Sequence, residues 1–347
     1  MNIKDIELKK IINDDSLKKK FLYSTNKKLN ITCNSLIGNF YLDSFNFFPI
    51  TEDHYTFKNF YVWPDKMIEY QKFYTKKFAD IFNKRKNLFK EFSDAFILGS
   101  SVSDDYYRNL IYFLPRIFFI HQKEINLVLH RDSSNKFRKF IIEILKQNKI
   151  QIKKFIYLDN DFYKFNNSFI PRYFKLIDSI RILRHNLLKD VQKKKSKIFI
   201  SRQTSSSRNL VNESDFNLLL KSQGFKIINI TNLSFFEQIK VFASAEIIIS
   251  PTSSVLANLA FCSPETKVIE ITPKYQFEYE NNLKFRYASI CKQLNLKYSF
   301  IEAEPVKIKK FQSNLNKFIS KKVLDKSNYY QDLILDKKKF EKLFLKN

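Results

Sequence analysis

Two arginines, Arg202 and Arg208, enclose a run of serine and threonine side chains just after a short β-rich segment. A guanidinium offers a planar fork of N–H donors that matches the oxygens of a diphosphate. Asn212 is expected to cap the following helix, whose first N–H groups favour the same anion. The spacing therefore predicts an anion-binding loop. A solvated serine-rich loop with two surface arginines is the alternative.

A second group of hydroxyl side chains, Thr252, Ser253 and Ser254, lies between an apolar segment and a short helix. The N–H groups and hydroxyls of such a turn can hold a phosphate or a sugar. Ordinary helix capping by Thr252 or Ser253 is the alternative explanation. The turn is therefore a candidate binding element that the sequence does not separate from a simple cap.

Glu270 lies near the end of the apolar segment Lys-Val-Ile-Glu-Ile at 267–271. An isolated carboxylate in such surroundings is costly unless it is paired or hydrogen-bonded. We expect Glu270 either to bind a ribose or sugar hydroxyl or to pair with a buried arginine.

The second half of the chain alternates short apolar segments with helical ones, and Ser234 with Glu237 forms a capping box between two of them. Five strands are expected, at 197–201, 226–230, 246–250, 267–271 and 297–301. This alternation is typical of a parallel sheet covered on both faces. Ligands bind beyond the carboxyl ends of such strands, which points to the loops 202–212, 231–234 and 251–254.

The first half favours a second α/β unit of the same kind. Strands are expected at 95–99, 126–130 and 154–158. An apolar helix at 106–122 should be kinked by Pro115, and another helix should bury the stripe Phe137, Phe140, Ile141 and Ile144. Residues 30–63 favour β-hairpins and residues 70–92 a basic helix.

These patterns predict two Rossmann-like domains, each around a parallel sheet, that face a cleft. The expected division gives an N-terminal, acceptor-side domain at 1–192 and a nucleotide-sugar-binding domain at 193–305. A basic helical tail at 306–347, with Phe311, Leu315 and Phe318 on one face, is expected to cross back onto the first domain.

Composition limits the classes of protein. The 347 residues carry a formal net charge of +26, but the basic residues are spread in short runs. Lys, Asn, Ile and Phe are enriched together, so coding bias explains the charge, and attraction to an anionic membrane or a phosphorylated substrate is the alternative. Three scattered cysteines do not suggest a disulfide framework or zinc cluster. The first ten residues lack a signal-peptide core, so we expect a cytoplasmic protein, with the inner membrane face as a possible peripheral site.

Several common catalytic motifs are absent. No G-x-S-x-G, P-loop or G-x-G-x-x-G pattern occurs, which argues against common hydrolases, kinases and dehydrogenases. The four histidines, His54, His121, His130 and His185, lack metal-ligand spacing. We therefore expect neither a metal nor a resident cofactor.

The run 200–216, followed by 233–261 and 267–273, resembles glycosyltransferase family 61, which includes capsular polysaccharide enzymes and protein O-linked GlcNAc and xylosyl transferases. The resemblance extends to 105–116, where Asp105-Tyr106-Tyr107-Arg108-Asn109 precedes Leu114-Pro115-Arg116. The residues of the second half that match the family pattern are Arg202, Arg208, Asn212, Glu213, Glu237, Gln238, Asn258 and Glu270.

Two departures from the family pattern matter. Where the family has His-Gly-Ala-Gly, this chain has Thr252-Ser253-Ser254-Val255, and where the family has the histidine of its N-terminal domain, this chain has Arg108. The resemblance therefore implies a preserved sugar-donor anchor, with either a shifted sugar specificity or a weakened activity.

The resemblance implies a metal-independent, inverting transferase with a nucleotide-sugar donor, expected to be UDP-linked, and a glycan or lipid-linked acceptor. Arg202 and Arg208 would neutralise the leaving diphosphate, and Asp104 or Asp105 would act as general base. Asp159-Asn160-Asp161 looks like the D-x-D metal clamp of another transferase class, but it lies in the first half and turns commonly have this composition. A nucleotide-sugar-binding pseudoenzyme and a basic nucleic-acid-binding protein are the alternatives, although no nucleic acid is expected as a partner.

Overall fold

The computed structural model describes residues 4–6, 19–57, 60, 79–82, 84, 88–101, 105–188, 195–203, 205, 207–275, 286–306 and 328–344. The chain divides into two compact units, Met1–Ile182 and Leu183–Asn347. The sequence predicts a boundary between residues 192 and 193. The observed boundary, between Ile182 and Leu183, lies earlier, within the helix Leu176–Leu187. Among the described residues, no helix combines the length and apolar character needed to cross a bilayer.

The first unit contains ten strands among its described residues. They are β1 Lys4–Ile6, β2 Phe21–Asn26, β3 Ile31–Asp43, β4 Phe48–Thr51, β5 Tyr55–Phe57, β6 Lys90–Ser93, β7 Ala95–Ile97, β8 Glu124–His130, β9 Gln151–Leu158 and β10 Phe162–Pro171. Eight of them form one sheet along the path β2-β3-β10-β7-β8-β9, with β4 on β3 and β6 on β10. β1 and β5 form a separate parallel pair.

This first sheet is mixed. β10 is parallel to β7, and β7, β8 and β9 are parallel to one another, whereas β2, β4 and β10 each pair antiparallel with β3. The expectation of a purely parallel sheet is therefore wrong for this unit, because its N-terminal residues add antiparallel strands to the same sheet. The hairpin expected within 30–63 is confirmed by β3 and β4.

Besides the helical residues 79–82 and 84, three described helical segments accompany the first sheet. α1 (106–119) begins with α-helical geometry at Tyr106–Arg108, widens to a π-helical turn at Asn109–Phe113 and tightens to 3₁₀ geometry at Leu114–Phe119. Its pitch changes beside Pro115, which has no N–H for the helical ladder. The others are α2 Asn135–Gln147, which buries the expected apolar stripe, and α3 Leu176–Leu187. Of the basic helix expected at 70–92, the described residues 79–82 and 84 are helical, whereas residues 90–92 belong to β6; the other residues up to 87 lie outside the described part of the chain.

The second unit matches the sequence expectation closely. Its strands are β11 Ser196–Ile200, β12 Phe225–Ile228, β13 Ala245–Pro251, β14 Lys267–Pro273, β15 Lys297–Val306 and β16 Asp332–Ile334. They form one sheet in the order β12-β11-β13-β14-β15-β16. The first five strands are parallel and β16 is antiparallel to β15. In chain order this is the 2-1-3-4-5 arrangement of doubly wound sheets, with its reversal between β11 and β13.

Short helices cover both faces of this second sheet. They are the α-helices α4 Asn217–Ser222, α5 Phe235–Ala243, α6 Arg286–Leu294 and α7 Lys337–Glu341, with 3₁₀ turns at Glu213–Phe216, Ile230–Asn232, Ser254–Phe261 and Asn328–Tyr330. The capping box that begins α5 is confirmed: the Ser234 hydroxyl accepts from the Glu237 N–H, and the Glu237 carboxylate accepts from the Ser234 N–H.

One core cluster of the second unit joins strand residues such as Phe199 and Ile249 to Phe216 and, from the C-terminal segment, Leu333 and Phe340. Residues 328–344 therefore contribute a strand and a short helix to this core. The tail residues Phe311, Leu315 and Phe318, on which the expected helical stripe and its return to the first domain depend, lie outside the described residues.

Candidate functional site

The candidate site is the carboxyl edge of the second sheet, at the reversal between β11 and β13. Ile198 and Phe199 lie opposite Ile248 and Ile249, so the two strands end side by side. The loop that begins at Ser201 and the turn that begins at Thr252 therefore leave the sheet as neighbours. This is where doubly wound sheets bind their ligands.

Arg202 takes part in the fold of its own loop. Its Nε donates to the Arg208 carbonyl oxygen at 3.3 Å, and its Nη2 donates to the Ser207 carbonyl oxygen at 2.8 Å. The guanidinium thus closes the serine-rich turn instead of presenting its whole fork outward. Because Arg202 is half-buried, part of its charge still reaches the surface of the loop.

Arg208 lies at the end of the same turn, in the left-handed region with φ of 60°. A non-glycine residue in this conformation carries some strain, which commonly marks a functional position. The charge of Arg208 lowers the pKa of the Glu270 carboxyl, although burial is the larger influence on that group. The structure thus brings together an arginine and a glutamate that are 62 positions apart in the sequence.

Asn212 and Glu213 hold this loop in place through hydrogen bonds. Asn212 makes no side-chain capping bond: its amide donates to the Leu335 carbonyl oxygen at 2.9 Å and accepts from the Leu335 N–H at 3.1 Å. Asn212 therefore occupies the expected N-cap position, but its side chain does not cap the helix, because a backbone segment near the end of the chain takes its amide. Glu213 is buried beneath Ser201 and accepts from the Arg202 N–H at 3.4 Å; burial raises the pKa of its carboxyl.

Gln238 and Asn258 form a buried amide pair. The Asn258 Nδ2 donates to the Gln238 Oε1 at 3.2 Å, and the Gln238 Nε2 donates to the Leu233 carbonyl oxygen at 3.0 Å. Both side chains are shielded from solvent. The pair ties the helix Ser254–Phe261 to α5, so these two predicted donor-binding residues fix the position of the turn at Thr252.

The turn itself carries two buried hydroxyls, those of Thr252 and Ser253. Thr252 continues the ladder, since its N–H donates to the Ile271 carbonyl oxygen at 2.8 Å. Ser253 occupies the N-cap position of the helix Ser254–Phe261 but makes no side-chain capping bond. The buried Thr252 hydroxyl interacts with the Glu270 carboxyl, whereas the buried Ser253 hydroxyl has no hydrogen-bond partner among the described residues. Ser254 begins that helix and is half-buried. Capping therefore does not account for these residues.

Glu270 is the most perturbed acid in this region. It is fully buried, and its Oε2 accepts from the Tyr298 hydroxyl at 2.7 Å. Burial raises the pKa of Glu270 to about 7, against the lowering effect of the nearby Thr252 and Tyr298 hydroxyls and of the charges on Arg208 and Arg286. Its other oxygen, Oε1, has no hydrogen-bond partner among the described residues.

In the first unit, Asp105 and Arg108 lie together at the start of α1. The Asp105 Oδ1 accepts from the Arg108 N–H at 3.3 Å, and its Oδ2 lies 3.9 Å from the Arg108 Nε. Asp105 thus caps the helix and neutralises Arg108, while its carboxylate remains partly exposed. Asp104, the other predicted base, lies outside the described residues.

His130, which the sequence analysis did not select, lies at the carboxyl end of β8. Its Nδ1 accepts from the Asp132 N–H at 3.1 Å, so its Nε2 carries the proton and donates to the Asn160 Oδ1 at 2.9 Å. Burial lowers the pKa of this imidazole. Both ring nitrogens are engaged, so His130 is a neutral structural group. The one feature of the sequence that could have identified His130 is its position at the end of a predicted strand.

Asp159 and Asp161 form the turn between β9 and β10. Asp159 pairs with Arg131 at 3.1 Å, and the Asp161 Oδ1 accepts from the Phe162 N–H at 2.8 Å. The described residues contain no group of three or more acidic, histidine or cysteine side chains that could hold a metal ion.

The family model Glycosyltransferase 61 matches residues 106–269, from the start of α1 to the middle of β14. The match includes Arg108 and both loop arginines, and it ends one residue before Glu270. No curated protein matches the chain.

Proposed function

We propose that this chain, a member of glycosyltransferase family 61, transfers a sugar from a nucleotide-sugar donor to a glycan or surface polysaccharide acceptor. One observation supports the placement of the donor above the others. At the carboxyl edge of the second sheet, a strained arginine acts electrostatically on a buried carboxyl, and the buried Ser253 hydroxyl has no hydrogen-bond partner among the described residues. Unpaired buried polar atoms are costly, and a bound ligand would satisfy them.

In this proposal Arg208 contacts the diphosphate, and Arg202 holds the loop in shape while adding positive charge. The remaining predicted donor-site residues divide by role. Asn212, Glu213, Gln238 and Asn258 position the loop and the turn, whereas Thr252, Ser253, Ser254 and Glu270 line the ligand. Cationic side chains and helix N–H groups stabilise the charge that develops on the leaving diphosphate, so the reaction needs no metal ion or other cofactor.

The acceptor is proposed to bind at the first unit, with its hydroxyl attacking the anomeric carbon and inverting it. Asp104 or Asp105 would accept the proton from that hydroxyl, and Arg108 would orient the aspartate. The capping bond of Asp105 fixes its position, and its partial exposure leaves it accessible to an acceptor. In this proposal the two units are the two domains of a GT-B enzyme that closes over its substrates.

The donor is proposed to be UDP-linked and the acceptor a glycan or a lipid-linked glycan, as in capsule synthesis. A cytoplasmic enzyme that contacts anionic lipid at the inner membrane face fits the net charge of +26.

A transfer assay tests the proposal. The full chain is incubated with UDP-, GDP-, CMP- or dTDP-sugars and a panel of glycan acceptors, and release of nucleotide is measured with product mass. We expect release that depends on both donor and acceptor and that falls at least a hundredfold when Asp104 and Asp105 are both replaced by Asn. Glu304→Gln, at an exposed position of β15, is the matched control.

A second function is favoured by the departures at Arg108 and at Thr252-Ser253-Ser254-Val255. These residues replace the histidine and the glycines of the family pattern, so a pseudoenzyme that binds nucleotide sugars without transfer fits the same site. Saturable donor binding with no release over the whole acceptor panel would establish this alternative.

A further inference from the structure

The short strand β16 lies between β15 and the loop that contains Arg208. On one side, β16 pairs antiparallel with β15. On the other side, the Leu333 N–H donates to the Asn209 carbonyl oxygen at 2.8 Å, and the Val211 N–H donates to the Leu333 carbonyl oxygen at 2.9 Å. The residues that directly follow Arg208 are therefore attached to the second sheet through a segment more than 120 positions further along the chain.

Asp332, the first residue of β16, binds Asn209 with one carboxylate oxygen. The Asp332 Oδ1 accepts from the Asn209 N–H at 2.8 Å and from the Asn209 Nδ2 at 3.1 Å. The same Nδ2 donates its second hydrogen to the Ser205 carbonyl oxygen at 2.9 Å. Hydrogen bonds to a carboxylate are charge-assisted and stronger than those between neutral groups. Asp332 therefore fixes Asn209 through both its backbone and its side chain.

The two peptide groups that flank Arg208 are both held by these contacts. In the peptide before Arg208, the Ser207 carbonyl oxygen accepts from the Arg202 Nη2 at 2.8 Å. In the peptide after it, the Arg208 carbonyl oxygen accepts from the Arg202 Nε at 3.3 Å. The N–H of that second peptide belongs to Asn209 and donates to Asp332. Because φ and ψ set the relative orientation of two neighbouring peptide planes, Arg202 and Asp332 together fix the backbone of Arg208.

This restraint matters because Arg208 has a φ of 60°. A non-glycine residue in the left-handed region is strained, and such strain persists only where the surrounding structure holds the backbone in place. Without the Asp332 carboxylate, the peptide after Arg208 would lose the partner of its N–H. The backbone could then relax to a negative φ, which would turn the arginine side chain in another direction.

We propose that Asp332 is a positioning residue, which holds Arg208 in the conformation that contacts the diphosphate of the donor. Asp332 acts through Arg208 and does not itself contact the ligand. It lies beyond residue 269, where the match to the family model ends, so the matched pattern gives it no role. This inference rests on the proposed function, because it concerns the arginine of the same donor site.

Calorimetric titration of the full chain with UDP, GDP and dTDP tests this role. In Asp332→Ala only a fraction of the molecules should keep Arg208 in place, so the dissociation constant should rise about tenfold. Asp332→Asn keeps an oxygen that accepts hydrogen bonds at the same place, so it should bind within about threefold of the wild type. Tighter binding by Asp332→Ala would show that the carboxylate repels the diphosphate, and it would overturn the proposal.

A double-variant cycle separates positioning from an independent contribution to binding. Arg208→Ala removes the side chain that Asp332 is proposed to position. Adding Asp332→Ala to Arg208→Ala should therefore change the dissociation constant by less than about twofold. If the double variant instead loses the product of the two single losses, Asp332 acts independently of Arg208 and the assignment is wrong.

The control Asp336→Ala accounts for any loss of stability. The Asp336 Oδ1 accepts from the Lys339 N–H at 2.8 Å at the start of α7, so this variant removes a carboxylate hydrogen bond from the same segment of the chain. Both alanine variants should lower the unfolding midpoint, but only Asp332→Ala should weaken binding. Equal weakening in both would show that Asp332 serves the fold alone, which refutes positioning.

Asp332→Glu provides a second variant in case Asp332→Ala does not fold. It keeps the charge and displaces the accepting oxygen by one methylene, so it should also weaken binding, by about threefold or more. Binding equal to that of the wild type would refute the positioning role.

Failure of this inference and failure of the proposed function give different results. If the wild type binds a nucleoside diphosphate and Arg208→Ala weakens that binding, normal binding by Asp332→Ala overturns only the role of Asp332. If the wild type binds none of the three probes, or if Arg208→Ala binds normally, the proposed donor site fails and the role of Asp332 fails with it.

Discussion

The buried carboxyl of Glu270 should make stability depend on pH in an unusual direction. Carboxylates that are paired in the folded state stabilise a protein as pH rises. Glu270 has the opposite effect, because burial raises its pKa from 4.5 to about 7. Between these values the folded protein keeps a proton that the unfolded chain releases. Stability therefore falls as pH rises through this window and reaches its lower level above about pH 8.

The size of the effect follows from the difference between the two pKa values. Each unit of difference between the pKa values of the folded and unfolded states corresponds to about 1.4 kcal/mol, so ionising Glu270 costs the folded state about 3 kcal/mol in all. About 2.5 kcal/mol of this loss falls between pH 5 and pH 9. Glu270→Gln removes the titrating group and keeps its size, so the variant should lack this part of the pH dependence.

Denaturant unfolding at pH 5, 6, 7, 8 and 9 measures the difference between the wild-type chain and Glu270→Gln. Other groups cancel in this comparison, including the carboxyl of Glu213, whose pKa burial also raises. Glu304→Gln, an exposed carboxyl on β15, should follow the wild type throughout. Parallel pH curves for the wild type and Glu270→Gln would show that Glu270 is not a buried acid, and the account of the site would fail.

Three other expectations concern the loop and the chemistry. Arg202→Ala should lower the free energy of unfolding, measured by denaturation, by about 1–3 kcal/mol. Arg208→Ala should instead weaken nucleotide-sugar binding, measured by titration, about ten- to hundredfold, and Arg208→Lys should recover part of the lost affinity. The reverse pattern would exchange the roles of Arg202 and Arg208. Asn212→Ala removes two hydrogen bonds to Leu335 and should lower the free energy of unfolding by about 2 kcal/mol, whereas the exposed control Asn232→Ala should lower it by less than about 0.5 kcal/mol. Equal losses would contradict the structural role of the bonds between Asn212 and Leu335. Transfer activity should survive EDTA, and strict dependence on manganese would require a different site.

The second unit could be predicted because its signals are local. Apolar segments such as 246–250 and 267–271 are continuous, and the capping box at Ser234 identifies a helix start within four residues. Each strand pairs with others of the same pattern, so the parallel sheet and its binding edge follow from general rules. The additional strand β16 did not follow from the sequence, because it is short and pairs antiparallel to the edge strand β15.

The site was predicted in location but not in the role of each residue. Asn212 was expected to cap a helix, yet its partner is a backbone group at Leu335 that no local pattern reveals. Thr252 and Ser253 could be caps or ligand contacts by sequence, and only the three-dimensional arrangement shows that Thr252 acts on Glu270 and that Ser253 makes no capping bond within the described part of the chain. The mixed sheet of the first unit was missed for a similar reason, since β3 and β10 are far apart in the chain.

The most direct test of the central claim is donor binding at the carboxyl edge of the second sheet. Thermal unfolding of the wild-type chain and of Arg208→Ala is followed with and without UDP-, GDP-, CMP- and dTDP-sugars. We expect at least one nucleotide sugar, with UDP the first candidate, to raise the midpoint of the wild type and to lose most of that effect in Arg208→Ala. An equal shift in both proteins, or no shift with any of these donors, would contradict the claim.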